Sequence, residues 1–179
     1  MSTTHPPLFR TTMTSPVGEL TLVANDHSIV AIHWDDDTTE SHDPVDAKHG
    51  DELDDIEAGS GQHALLDRAV QQLDEYFDGK RTDFDLPLDP DGTEFQHQAW
   101  DALVKIPFGE TISYGEQAVM LGDKNKSRAV GAANGKNPIP IVVPCHRVVG
   151  STGHLTGFAG GLNVKAWLLD HEFQVRAES

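Results

Sequence analysis

The sequence predicts an α+β fold: a small N-terminal α/β domain with an antiparallel sheet, then a mainly helical C-terminal domain with a winged-helix-like helix-turn-helix. Two observations support this prediction. Short β-branched runs separated by turn residues occupy the start of the chain. Capping-box spacings and apolar stripes of helical period dominate the second half. A Pro/Gly-rich connector at 86–92 separates the two patterns, so we place the domains at 1–90 and 91–179.

The N-terminal domain begins with three β-prone runs, at residues 8–13, 19–24 and 29–34. Turn residues separate these runs, which predicts an antiparallel meander. Residues 35–57 contain 11 acidic residues, one lysine and few large apolar side chains. Such a composition cannot build a core, so we expect a solvated, mobile loop there. A helix is then predicted over residues 62–77 by the helical spacing of its apolar residues Leu66, Ala69, Val70, Leu73 and Phe77.

Four helices are predicted in the C-terminal domain, and two of them form the helix-turn-helix. They cover residues 93–104, 113 to about 122, 127–135 and 162–171, and the last of them should bury Val164, Trp167 and Leu168. A basic turn joins the second helix to the third, which is the candidate recognition helix. Its small residues permit close approach to a surface but read no base edges, which favours binding through shape and phosphate contacts. Many helix pairs bind no nucleic acid, so the pattern alone does not establish DNA binding.

The charge distribution also separates the two halves of the chain. The net charge is −16, which by itself argues against a nucleic-acid partner. Residues 1–93 hold 21 acidic and 5 basic side chains, whereas residues 94–179 hold 8 of each. The whole excess therefore lies in the N-terminal half. In the other half, Lys124, Lys126, Arg128 and Lys136 outnumber the neighbouring Asp123 and form a basic patch.

The cysteine count and the absence of targeting segments predict where the protein works. One cysteine permits no internal disulfide, which fits a reducing compartment. The amino terminus lacks the features of a signal peptide, and no apolar run reaches membrane-spanning length. We therefore expect a cytoplasmic protein that does not bind membranes.

The single cysteine, Cys145, lies in an apolar segment between Pro144 and His146. Residues 139–143 are mostly β-branched, which predicts a short buried strand that the nearby prolines keep from being a long central one. A lone cysteine is most often a small buried hydrophobe. In a strand, neighbouring side chains point to opposite faces, so contact between thiol and imidazole needs a turn at Pro144 or a bridging water.

Several motifs resemble one protein family. Pro144-Cys-His-Arg-Val148 resembles the active-site signature of the O6-alkylguanine-DNA alkyltransferases, also called methylated-DNA–protein-cysteine methyltransferases. Other segments match this family in order and spacing: Asn137-Pro138, Arg128-Ala-Val-Gly131, Ser113-Tyr114, Gly160-Gly161 and Trp167-Leu-Leu-Asp-His-Glu172. The resemblance is strong over residues 93–172 and weaker before them.

The resemblance implies roles for individual residues. Cys145 would be the nucleophile that accepts the alkyl group, with His146 as its base through a water and Glu172 orienting the imidazole. Asn137 would hold together the turn between recognition helix and active-site segment. Tyr114 would help to rotate the damaged nucleotide out of the duplex and donate a hydrogen bond to the departing guanine. Taken alone, Glu172 would be an ordinary helix-end residue.

The resemblance also implies a DNA-binding surface and a base pocket. Arg128 would fill the gap in the base stack, beside the other expected DNA-binding residues Ser127, Ala129, Lys124, Lys126 and Gly131. Tyr114, Val148, Phe158, Ala159 and Gly160 would line the pocket. Some members have Tyr and Ser where this chain has Phe158 and Ala159, so this pocket should be more apolar.

The implied reaction needs no cofactor and occurs once. Alkyl transfer leaves a thioether without a carbonyl to hydrolyse, so each chain is consumed in one reaction. The expected partner is double-stranded DNA containing O6-alkylguanine, with O4-alkylthymine as a second candidate, and the expected state is a monomer. Certain members bind zinc, but His5, His27 and His33 lack a ligand spacing and a second cysteine is absent, so we expect no metal.

Two other functions stay open at this point. A cysteine hydrolase would use Cys145 and His146 on a peptide or ester and would turn over repeatedly. However, the sequence shows no evident oxyanion-hole loop. A module that binds damaged DNA without repairing it would have no need of a thiol.

Overall fold

The computed structural model describes residues 7–34, 53–55, 63–155, 157–158 and 160–178. The chain divides into two compact units, Met1–Pro90 and Asp91–Ser179. The first unit contains β1 (Leu8–Ser15), β2 (Gly18–Ala24), β3 (Ile29–Trp34), β4 (Leu53–Asp55) and α1 (Ala64–Phe77). The second contains α2 (Glu94–Val104), β5 (Ile112–Ser113), α3 (Tyr114–Met120), α4 (Ser127–Gly135), β6 (Val148–Val149) and α5 (Leu162–Glu178), with short 3₁₀ turns at Lys124–Lys126 and Cys145–Arg147.

The sheet of the first unit has the strand order β3-β2-β1-β4. β1 pairs antiparallel with β2, and β2 pairs antiparallel with β3, so the predicted antiparallel meander is confirmed. α1 packs on β1 and β2. Leu66, Ala69 and Leu73 are buried on α1 as helical spacing requires, and Tyr76 is buried although the pattern predicted Phe77.

The acidic segment contains one strand that the sequence did not predict. Leu53–Asp55 pairs in parallel with the start of β1. The expectation of a loop throughout 35–57 is therefore wrong at these three residues, and the remainder lies outside the described residues. Ladder hydrogen bonds use the main chain, so an edge strand can pair with a segment whose composition is unfavourable for a core.

The predicted start of α2 is confirmed in detail. Thr93 Oγ1 accepts a hydrogen bond from the backbone N–H of Gln96, while the Gln96 side chain accepts one from the Thr93 N–H. These reciprocal bonds satisfy two of the four free N–H groups at a helix start. Ser113 caps α3 through its side chain, whose Oγ accepts a hydrogen bond from the Glu116 N–H at 3.1 Å.

Buried hydrogen bonds connect α4 to the two helices before it. Trp100 Nε1 of α2 donates to the Ala133 carbonyl at 2.9 Å. The amides of Gln117 and Asn134 exchange two bonds, of 3.0 and 2.8 Å, and Gln117 also donates to the Ala99 carbonyl. These directional contacts fix the position of α4, and they leave Arg128 and Ala129 on its exposed side.

α5 differs from its prediction in length and in what it buries. It continues beyond residue 171 to Glu178. Of the three apolar residues expected inside, only Leu168 is buried, whereas Val164 and Trp167 are half-buried. The other buried side chains are charged, Lys165 and Glu172, at helical spacing from Leu168. Charged side chains are seldom fully buried unless paired, so this face belongs to a polar site.

None of the helices in the described residues is both long enough and apolar enough to cross a bilayer.

Candidate active site

Residues 139–143 form a tight turn, and the predicted strand there is wrong. The Val143 N–H donates to the Ile139 carbonyl at 2.9 Å, and Pro140 and Val143 form an isolated bridge. Ile141 has a φ of 73°, a left-handed conformation that is strained for a β-branched residue. Because proline supplies no N–H, a run that contains Pro140 and is flanked by Pro138 and Pro144 cannot sustain a strand ladder, although its side chains are buried.

Asn137 holds this turn closed from inside. Its Nδ2 donates to the Val143 carbonyl at 2.9 Å, and its Oδ1 accepts from the Ile139 N–H at 3.0 Å. The side chain is buried, so both bonds satisfy main-chain groups that lack water. One amide thus connects the end of α4 to the residues just before Cys145.

Cys145 and His146 occupy the 3₁₀ turn Cys145–Arg147 that follows Pro144. A 3₁₀ helix has three residues per turn, so consecutive side chains are about 120° apart and not on opposite faces. The opposite-face geometry expected for a strand is therefore wrong at this pair. The Cys145 side chain is nearly enclosed, at 8% exposure.

His146 is fully buried and forms a hydrogen bond with Glu172. Its Nε2 lies 2.6 Å from Glu172 Oε2. An ionised carboxylate can only accept, so Nε2 carries the proton and the neutral ring has its lone pair on Nδ1. Nδ1 is buried and has no hydrogen-bond partner in the described part of the chain. An unpaired buried nitrogen is rare, and this one can accept a proton.

Sequence reasoning missed Arg147, although the motif contains it. Its Nε and Nη2 donate to the two oxygens of Glu172, at 2.8 and 3.1 Å, and its Nη1 donates to the Ile106 carbonyl at 2.7 Å. The Gly109 N–H completes the set with a 3.1 Å bond to Glu172 Oε1. No local pattern predicts these contacts, since Arg147 and Glu172 are 25 residues apart.

Sequence reasoning also missed Lys165, which is completely buried. Its ammonium group lies 5.8 Å from the centroid of the Tyr114 ring, a cation–π distance. A signal was present in the sequence, because Lys165 and Glu172 share the buried face of α5 with Leu168. The interpretation of this helix counted only its apolar residues.

The environment shifts three pKa values. Burial raises the pKa of Cys145 above 9.0, while the Asn137 hydrogen bond and the Lys165 charge act in the opposite direction. Burial likewise lowers the pKa of His146 below 6.5, because it disfavours the imidazolium. Burial disfavours the Glu172 carboxylate, but His146 and Arg147 outweigh it and hold the pKa of Glu172 far below 4.5. At neutral pH the site therefore contains a thiol, a neutral imidazole and a carboxylate.

The structure brings part of the expected base pocket together. β5 and β6 pair in parallel, with Ile112 opposite Val148 and Ser113 opposite Val149. Val148 is fully buried, and a Cβ at Gly131 would lie 3.7 Å from the Tyr114 ring, so this ring borders α4. Phe158 and Gly160 are half-buried, and the Phe158 carbonyl accepts a hydrogen bond from the Gly161 N–H at 2.9 Å. Ala159 lies outside the described residues.

The expected DNA-binding residues lie on and before the first turn of α4. Lys124, Lys126, Arg128 and Ala129 are exposed, and Ser127 and Gly131 are half-exposed. Arg128 forms no hydrogen bond or ion pair within the described residues, whereas Lys126 lies 5.6 Å from the centroid of the Phe95 ring. The surface thus combines cations with small side chains.

A metal site is not evident in the ranges that the structure describes. No three His, Cys, Asp or Glu side chains cluster there with metal-binding geometry. That the protein needs neither metal nor cofactor stays a prediction.

Two family models match the chain, one in each unit. Residues 94–174 match the 6-O-methylguanine DNA methyltransferase DNA-binding domain. Residues 8–90 match the 6-O-methylguanine DNA methyltransferase ribonuclease-like domain.

Characterised proteins give the same result. A methylated-DNA–protein-cysteine methyltransferase of Mycobacterium bovis is 57% identical over 104 residues, which is 58% of this chain and 63% of that protein. Its namesake in Mycolicibacterium paratuberculosis is 46% identical over 158 residues, 88% of each chain. The crystal structure of Mycobacterium tuberculosis OGT in complex with DNA matches with a TM-score of 0.78 and 40% identity, covering 93% of this chain and 94% of that one.

Proposed function

Because the chain belongs to the methylated-DNA–protein-cysteine methyltransferase family, we propose that it repairs DNA by moving the alkyl group of O6-alkylguanine irreversibly to Cys145. The observation that carries this proposal is the enclosed site in which Cys145 precedes His146, whose Nε2 is bound by Glu172 and whose Nδ1 is unpaired. This arrangement supplies a nucleophile, its base and the group that orients the base.

The reaction balances within this site. Nδ1 of His146 takes the thiol proton, directly or through one water, and the sulfur of Cys145 attacks the alkyl carbon. A carbon–sulfur bond forms, the carbon–O6 bond breaks, and its electron pair goes to the guanine. The departing guanine takes up one proton from solvent, His146 releases to solvent the proton that it took from the thiol, and the Tyr114 hydroxyl donates a hydrogen bond to the departing guanine. The products are guanine in DNA and an S-alkylcysteine, and no redox partner or methyl donor is needed.

Burial makes the base necessary. The pKa of Cys145 lies above 9.0, so the free thiolate is scarce at neutral pH. The imidazole is neutral because burial lowers its pKa, and the negative Glu172 stabilises the imidazolium that forms during the reaction. Asn137 and Lys165 both favour the thiolate, so they also assist the loss of the thiol proton.

The DNA-binding part of the proposal rests on the surface of α4. Phosphate contacts from Lys124 and Lys126 would position the duplex, and small residues such as Ala129 would let the helix approach the backbone closely. Arg128 has its guanidinium available to occupy the gap left by a flipped nucleotide. Recognition through shape suits a protein that must inspect every sequence context.

Val148, Tyr114, Phe158, Ala159 and Gly160 are the proposed pocket for the flipped base. With Phe158 and Ala159 in place of hydroxyl-bearing residues, main-chain groups rather than side chains would read the guanine edge there. We also propose that the protein is cytoplasmic and monomeric and that it acts on double-stranded DNA.

The proposal is tested by incubating the protein with excess duplex that carries a radiolabelled O6-methylguanine. We expect one methyl group per chain, located by mass spectrometry on the peptide containing Cys145, after which the reaction stops. Cys145→Ala should lose transfer but still bind the alkylated duplex. Many turnovers per chain, or transfer by Cys145→Ala, would contradict the proposal and favour a hydrolase.

A further inference from the structure

Arg147 interacts with Glu172 through a two-pronged contact. Nε lies 2.8 Å from Oε1 and Nη2 lies 3.1 Å from Oε2, the bidentate geometry in which a guanidinium fixes a carboxylate plane. The Arg147 side chain is only 7% exposed and that of Glu172 only 1%. This contact is therefore shielded from water and salt.

Arg147 is itself held by the chain between α2 and β5. Its Nη1 donates to the Ile106 carbonyl at 2.7 Å, and its guanidinium carbon lies 5.7 Å from the centroid of the Phe108 ring. The Gly109 N–H, from the same segment, donates to Glu172 Oε1. The Glu172 carboxylate thus accepts four hydrogen bonds, two from Arg147 and one each from Gly109 and His146. It cannot rotate without breaking several of these bonds.

We propose that Arg147 is a positioning residue for alkyl transfer, which clamps Glu172 so that this carboxylate holds His146 in the tautomer with a free Nδ1. The inference rests on the proposed function and adds a residue to it. Without the clamp, the carboxylate would lose two of these four hydrogen bonds, and each of its oxygens would keep one, from His146 at 2.6 Å and from the Gly109 N–H at 3.1 Å. The carboxylate could then turn, and the imidazole could protonate on either nitrogen.

The charge of Arg147 matters as well as its shape. The charged or ionisable groups around His146 are Glu172 and Lys165 from α5, and Cys145 and Arg147 from its own turn. α2 also packs on this turn, but its Glu94 and Asp101 are exposed. Glu172 favours the imidazolium, whereas Arg147 and Lys165 disfavour it. Removal of the Arg147 charge should therefore raise the pKa of His146.

The test compares two variants. Arg147→Gln removes both the positive charge and the bidentate contact, whereas Arg147→Lys keeps the charge but loses the bidentate contact. Lys80→Gln is the control for loss of an exposed positive charge, since Lys80 is an exposed cation of the first unit. Single-turnover transfer from O6-methylguanine duplex is followed from about pH 5 to about pH 9. For Arg147→Gln we expect the acid midpoint to rise by about one pH unit and the rate near neutral pH to fall about tenfold.

For Arg147→Lys we expect the midpoint of the unaltered protein with a lower rate at every pH, and for Lys80→Gln an unchanged profile. An Arg147→Gln protein that folds and keeps the original midpoint would overturn the inference, since a purely structural role changes stability and not the titration. Failure of the unaltered protein to transfer would instead reject the proposed function.

If Arg147→Gln does not fold, the decision passes to Arg147→Lys and to the ¹⁵N spectrum of the His146 ring. The unaltered protein should show one tautomer, with the proton on Nε2, and the lysine variant a mixture of two. A folded Arg147→Lys protein with a single tautomer and an unchanged transfer rate would overturn the inference.

Discussion

His146 and Glu172, 26 positions apart, form a 2.6 Å hydrogen bond between side chains that are 0% and 1% exposed. The bond joins the turn that carries the thiol to the long C-terminal helix. Both partners are out of water, so loss of either leaves the other without its hydrogen bond. Burial lowers the pKa of His146, and the charges of Arg147 and Lys165 act in the same direction, so the imidazole stays neutral.

The transfer rate should be nearly independent of pH from about 6.5 to about 9. His146 loses its proton below 6.5 because its pKa is lowered, and Cys145 stays a thiol up to 9.0 because its pKa is raised. Between these limits the neutral imidazole and the thiol coexist. Single-turnover rates across this range check the prediction. A tenfold rise per pH unit would mean that free thiolate reacts without the base.

Glu172→Gln should slow transfer without preventing it, and should lower the free energy of unfolding at neutral pH by about 3 to 5 kcal/mol. The folded-state pKa of Glu172 is depressed, so its contribution is complete above about pH 4.5 and disappears as the pH falls towards the folded pKa. The variant and the unaltered protein should therefore become more alike in acid. Urea unfolding at several pH values measures this difference.

Glu178→Gln is the control for this experiment, because Glu178 is exposed at the end of the same helix. It should change neither stability nor rate. A constant stability difference between Glu172→Gln and the unaltered protein at every pH would show that the effect is packing and not ionisation.

The elements that depend on neighbouring residues could be predicted from the sequence. The antiparallel meander and the Thr93 capping box are examples, since turn residues and side-chain caps act over three or four positions. The turn at 139–143 could not, because its β-branched residues favour a strand while its prolines forbid the ladder. The two Asn137 hydrogen bonds and the bond from the Val143 N–H to the Ile139 carbonyl settle that conflict in favour of a turn.

Within the candidate site, only the residues that belong to a recognisable motif could be predicted from the sequence. Cys145 and His146 belong to a contiguous signature, but the partners of Arg147 come from segments 25 and 41 residues away. Such contacts depend on the tertiary fold and leave no local pattern. The charged residues on the buried face of α5 are the exception, since helical spacing places Lys165, Leu168 and Glu172 together.

Asn137→Ala should destabilise the protein by about 2 to 4 kcal/mol, since it leaves a buried carbonyl and a buried N–H unpaired. Transfer should slow as well, because Asn137 favours the thiolate of Cys145. Thermal unfolding and single-turnover rates measure the two effects. The control is Asn163→Ala, an exposed site. A loss of stability with an unchanged rate would restrict Asn137 to a structural role.

Binding to alkylated duplex should depend on salt with a log–log slope no steeper than about −3.6. The estimate takes about −0.9 for each phosphate contact and the four exposed cations Lys124, Lys126, Arg128 and Lys136. Fluorescence anisotropy with a labelled duplex at a series of salt concentrations gives the slope. A much steeper value would require cations elsewhere on the protein, and a value near zero would exclude phosphate contacts as the main source of affinity.

Arg128→Ala should weaken repair of O6-methylguanine in duplex DNA at least about tenfold, yet leave the reaction with the free alkylated base nearly unchanged. The guanidinium is exposed at the start of α4 and unpaired within the described residues, so its proposed task exists only within a base stack. Loss of a stacking partner worth about 1 to 3 kcal/mol accounts for the size of the effect. Lys80→Ala, at an exposed cation of the first unit, should react normally with both substrates. Equal losses on duplex and free base would show that Arg128 supports the active site itself and does not replace the flipped nucleotide.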